Sequence, residues 1–161
     1  MKRIVNHFKT LVLFFLFYTL SAATATAQDL DKDVVAKLVA GKEFTFKATT
    51  MLPSGASVKQ LTSDYDVRLL GDSVITYLPY FGRSYAPVMP GEEGINFTSK
   101  DFDYKAKAKK KSGWQISVKP KDTKEVRELL FDISDGGYAH LQVMSNNKQA
   151  VSYNGYIQPR K

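Results

Sequence analysis

Not one cysteine occurs among the 161 residues, which excludes disulfide staples and thiol chemistry. Histidine is almost as scarce, with only His7 and His140. A zinc site needs clustered His or Cys ligands, and none is present. Nucleophilic hydrolysis of the Ser-His-Asp or Cys-His type needs an imidazole base, for which His140 is thin material. No apolar run reaches the roughly 20 residues of a membrane-spanning helix. The apolar stretch Leu11 to Leu20 has ten residues.

That stretch has another reading. Lys2, Arg3 and Lys9 form a cationic start, the apolar run follows, and Ser21 to Ala27 is a small-residue segment ending in Ala-Thr-Ala. This is the layout of a secretory signal peptide cut before Gln28. Residues 1–27 are therefore expected to leave, and 28–161 to form a single domain. No cysteine follows the run, so the exported protein is not a lipoprotein, and its expected address is the periplasm. Of the 23 Lys and Arg residues, three leave with the leader. The remaining 20 face 16 acidic residues, a net charge of +4. That suits solubility and weak attraction to an anionic membrane surface, but it lacks the dense basic footprint of a nucleic-acid binder.

Along the rest of the chain, Leu30, Val34, Val35, Leu38 and Val39 recur at helical spacing. Asp29, Asp31 and Asp33 stand near the start and Gly41 just beyond the end. This predicts one amphipathic helix over Asp29 to Ala40, with Gly41 as its left-handed terminator. The period then falls to 2, from Phe44 and Phe46 onward. Eight antiparallel strands are predicted: Phe44–Thr50, Tyr65–Leu70, Ser73–Leu78, Phe102–Lys109, Trp114–Lys119, Val126–Ile133, Tyr138–Met144 and Gln149–Ile157. Short turns such as Gly71-Asp72 and Asp135-Gly136-Gly137 join them. The fold class is mainly β: a small barrel, lipocalin-like in general shape, or a two-layer sandwich. Phe44, Phe46, Tyr104, Trp114, Ile116 and Val118 are its expected interior, as packed core or as a pocket for a small apolar ligand.

Three features carry candidate chemistry. Carboxylates at Asp64 and Asp66, at Asp101 and Asp103, and at Glu92 and Glu93 lack the spacing of a calcium loop and read as solvated strand ends. Lys105, Lys107 and Lys109 share one side of a predicted strand as a cationic stripe, which either contacts an anionic surface or keeps an outer strand from pairing. In Tyr77 to Tyr85, four of nine residues are aromatic, and Pro79 and Gly82 point to a fixed turn. Tyr80, Phe81, Arg83 and Tyr85 form the candidate contact with a ligand or partner, unless the loop folds over the barrel end to close the core. His140 reads as a histidine on the less apolar face of its strand.

The segments Leu78 to Tyr85, Gly94 to Phe97, Ser145 to Gln149 and Ser152 to Gly155 also resemble a bacterial family, the domain of unknown function numbered 4251. The resemblance runs from about Val34 to the C-terminus. It implies an exported Bacteroidota protein with one domain behind a signal sequence, and it supplies no activity, cofactor or catalytic residue. The residues favour a non-catalytic periplasmic binding or interaction module, with a small apolar ligand or an envelope protein as partner, no cofactor and no metal. Two alternatives stand beside it: a carboxylate-based hydrolase of glycans or cell-wall material, and an envelope-associated structural protein contacting anionic lipid.

Overall fold

The computed structural model describes residues 29–55, 57–87 and 94–160. The expected signal peptide and the pair Glu92-Glu93 lie outside them. Helix α1 spans Lys32–Gly41. It starts three residues later than its apolar pattern suggests because Asp31 stays extended and caps it, its carboxylate accepting from the Asp33 amide at 3.0 Å. Its end also differs from expectation. Lys42, not Gly41, takes the left-handed conformation, at φ 56°, and its amide satisfies the carbonyls of Leu38 and Val39. The Lys42 ammonium lies 5.3 Å from the Tyr104 ring centroid.

Among the described residues nine strands follow, one more than expected: β1 (Glu43–Pro53), β2 (Lys59–Leu70), β3 (Val74–Leu78), β4 (Ile95–Ser99), β5 (Phe102–Ala108), β6 (Trp114–Pro120), β7 (Val126–Ile133), β8 (Tyr138–Ser145) and β9 (Val151–Gln158). The unforeseen strand is β4. It is five residues long and emerges directly from the Pro- and Gly-rich connection, which hides a short period-2 signal.

Neighbours in the sheet run β4-β3-β2-β1-β9-β8-β7-β6-β5, all antiparallel. The sheet curls into a nearly closed barrel, and parity explains why it stops short. Eight reversals of direction separate β4 from β5, so the two edges point the same way and cannot pair as antiparallel neighbours. Only Lys100 and Asp101 join them, so β4 and β5 act as one bent strand that leaves one edge of the sheet and enters the other. Asp122 holds the corner, its Oδ2 accepting from the Lys100 and Asp101 amides at 2.8 and 3.3 Å.

The interior is filled by the chain itself. Phe44 and Phe46 each meet Phe131 edge to face at 5.8 Å. Ile116 and Val118 are fully buried, with Tyr104 and Trp114 packed against the same cluster. Val35 and Val39 of α1 join this core from one end, and the Tyr104 hydroxyl donates to the Val39 carbonyl at 2.8 Å. Burial drives the Tyr104 pKa well above the ordinary phenol value. The loop after β3 lies elsewhere, against the turn between β8 and β9.

Candidate functional site

That loop, Pro79 to Pro87, is fastened along its length. The buried Tyr153 hydroxyl of β9 donates to the Pro79 carbonyl at 2.6 Å. The Tyr80 hydroxyl lies 2.8 Å from the Arg83 carbonyl and 3.1 Å from that of Gln149. Ser84 forms a β-bridge with Lys148. Around it, the Gln149 amide donates to Arg83 at 3.0 Å and the Tyr85 amide to Asn147 at 2.8 Å. Gly82 makes the turn possible, because a Cβ there would come within 2.5 Å of the Tyr80 hydroxyl. Burial raises the pKa of both Tyr80 and Tyr153, which keeps these hydroxyls protonated as donors.

Lys148 is the central fastening. It is 8% exposed, and its ammonium donates to the Gly94 carbonyl and to Glu125 Oε1, both at 2.6 Å. It also lies 5.5 Å from the Tyr80 ring centroid. One lysine thus ties together the loop, the start of β4 and the connection before β7.

With its backbone held, the loop does not bury all of its aromatics. Tyr80 is a brace, but Phe81 is 52% exposed and Tyr85 69%, and Arg83 is exposed as well. Tyr77, at the end of β3, is 51% exposed. Its ring stacks on Tyr65 at 5.5 Å, and its cross-strand partner is Asn96. A cavity of about 260 Å³ opens here, lined by Tyr65, Tyr77, Phe81 and Asn96 among others. A second one of about 420 Å³, with Ser84, Glu125, Asn147 and Lys148 in its wall, shares Gly94 and Asn96 with it.

Of the four contact candidates named from the sequence, Phe81, Arg83 and Tyr85 are exposed here and Tyr80 turns inward as a brace, while Tyr65, Asn96, Lys148 and Tyr153 were not among them. The available signal lay in the segments that carried the family resemblance. These segments are far apart in sequence, and the structure brings Leu78 to Tyr85, Gly94, Asn96, Asn147 to Gln149 and Tyr153 from them to this rim.

The other candidates lie away from it. Lys105 and Lys107 are exposed on β5, an edge strand, while Lys109 just beyond pairs with Asp132. His140 is exposed on β8, its Nδ1 2.8 Å from Asn154 Oδ1. Asp64 and Asp66 both reach the Lys47 ammonium, at 3.6 and 3.1 Å. Burial pulls the Lys47 pKa down, but the hydrogen bond to Asp66 and the two nearby carboxylates outweigh it and leave the pKa raised. Asp103 pairs with Lys121 at 2.7 Å, which holds its carboxyl below the usual range. Among the described residues, no three His, Cys, Asp or Glu side chains gather as a metal site.

Comparison with known proteins places this geometry in a family. The model of the family described as a domain of unknown function, DUF4251, matches residues 27–157, and the chain belongs to that family. Among solved structures, it is similar to a DUF4251 family protein from Bacteroides eggerthii DSM 20697. The two are 14% identical, with a TM-score of 0.65 over 83% of this chain and 90% of that one. At that identity the likeness shows the fold alone. No curated protein matches the chain.

Proposed function

We propose that this member of the family is an exported, non-catalytic binding module of the periplasm, which offers the rim around Phe81, Arg83 and Tyr85 to a ligand or partner of the cell envelope. One observation carries the reading: a loop whose backbone is fastened from Pro79 to Tyr85 keeps Phe81 and Tyr85 in water. Flexible loops lose conformational entropy when they bind, and a loop already fastened by Tyr153, Tyr80 and Lys148 avoids that cost. Half-exposed aromatics beside an arginine have the composition of contact hot spots. The leader supports the address.

The test is site-specific photocrosslinking in intact cells of the native host, with the reactive group placed at Phe81, Tyr85, Lys107 or His140. Capture of a defined species from Phe81 and Tyr85, but not from Lys107 or His140, is expected. Capture only from the β5 lysines would move the contact to the cationic edge and overturn the reading.

A further inference from the structure

The cavity at Tyr77 points to a chemical class of ligand, an inference that rests on the binding reading above. We infer that the rim binds an oligosaccharide, with a sugar ring stacked on Tyr77 and Phe81 and its hydroxyls bonded to Asn96.

Each ring has one neighbour over its face and is about half exposed. Tyr77 rests on Tyr65 at 5.5 Å, Phe81 lies 4.9 Å from the Lys59 ammonium, and about half of each side chain remains in water. A ring held from behind is a rigid platform, and its π-face suits the C–H face of a pyranose, which carries partial positive charge. The rim of a pyranose carries hydroxyls that both donate and accept. The exposed Asn96 amide, which offers both functions, stands beside Tyr77 because the two are cross-strand partners, with Cβ atoms roughly 4.5–5.5 Å apart.

The adjoining cavity extends this surface through the shared Gly94 and Asn96, with Ser84 and Asn147 as further hydroxyl and amide groups. Alone, the first cavity at about 260 Å³ is smaller than the roughly 300–1,000 Å³ of small-molecule sites, and the second at about 420 Å³ lies within that span. In the wall of the second cavity Glu125 is engaged by Lys148, while Lys124 is exposed beside them. A protein partner would match an apolar anchor to a dry pocket. Here the rings share their cavity with the Asn96 amide, and the adjoining one adds Ser84 and Asn147.

The test is titration of isotopically labelled 28–161 with tetramers of glucose, mannose and N-acetylglucosamine, followed by amide chemical shifts. Saturable shifts are expected at Tyr65, Tyr77, Phe81 and Asn96. Tyr77→Ala should weaken binding by roughly tenfold; it also removes the stack on Tyr65, so its amide spectrum away from the rim must match wild type. Asn96→Ala provides a second reading at the polar side. Silence with all three tetramers, or shifts confined to Lys105 and Lys107, would overturn the sugar assignment. Crosslinking from Phe81 in cells separates the two claims: a captured protein together with silent sugars removes the oligosaccharide and keeps the rim, whereas no capture and no shifts removes both.

Discussion

The Tyr153 hydroxyl and the Pro79 carbonyl, 74 residues apart, meet in a buried 2.6 Å hydrogen bond. Through it, β9, the central strand that joins β1 to β8, sets the start of the aromatic loop. Tyr153→Phe keeps the ring and removes the donor, leaving a buried carbonyl without its partner at a cost of about 1–3 kcal/mol. Chemical denaturation should show that loss. Amide exchange should also quicken at Tyr85 and Gln149, whose N–H groups hold the loop to the β8–β9 turn. Unchanged exchange at those two amides would mean that the loop is set independently of Tyr153.

Lys148 should behave as an internal strut. Replacing it by Met leaves the Glu125 carboxylate and the Gly94 carbonyl without their donor, with an expected loss of about 1.5–3 kcal/mol. Because the ion pair is mostly out of water, raising the salt concentration should change that loss little. A loss that vanishes in high salt would mark the pair as a surface interaction.

Two glycines should respond in opposite directions to alanine. A Cβ on Gly155 would stand 1.8 Å from the Lys47 carbonyl oxygen, so Gly155→Ala must push β9 away from β1 and lower the unfolding midpoint. Gly41 has nothing within 4 Å of its Cβ position and sits in the last turn of α1. There alanine restricts the unfolded chain and should stabilise by about 0.4–1 kcal/mol. Thermal melts of the two variants decide the matter.

Stability should be flat in mid-range pH and fall at both ends. Burial raises the folded pKa of Tyr153 above its unfolded value, so its contribution is complete below pH about 10 and is lost as pH climbs through the raised value. Asp122 has the opposite sign. Hydrogen bonds from Ser99 and the Lys100 amide lower its folded pKa, so its contribution is present above pH about 4 and is lost as pH falls through the lowered value. Melts across pH should show Tyr153→Phe removing part of the alkaline decline and Asp122→Asn part of the acid one. Profiles parallel to wild type in both variants would contradict these assignments.

What was legible in the sequence followed from periodicity. The spacing of Val35 and Val39 gave the helix, and alternation from Phe44 onward gave the antiparallel β class. The ends of elements were less legible, because they depend on contacts. Lys42 takes a conformation that Gly41 was better suited to adopt, with its amide closing the helix and its ammonium over Tyr104. The loop aromatics Phe81 and Tyr85 were conspicuous as composition. The neighbourhood of Tyr77 was not, since Asn96 becomes its partner only through the register of β4, a five-residue strand hidden behind Pro79 to Gly94. Long-range fastenings such as Lys148 to Glu125 leave no local pattern.

The central claim is that the fastened rim holds a ligand, and native mass spectrometry of 28–161, purified gently from cells of the native host, tests it most directly. The account predicts a co-purifying mass that leaves on denaturation and is absent from a Tyr77→Ala, Phe81→Ala double variant with an unchanged fold. An adduct retained in full by that variant, or a bare wild-type protein identical to it, would contradict the account.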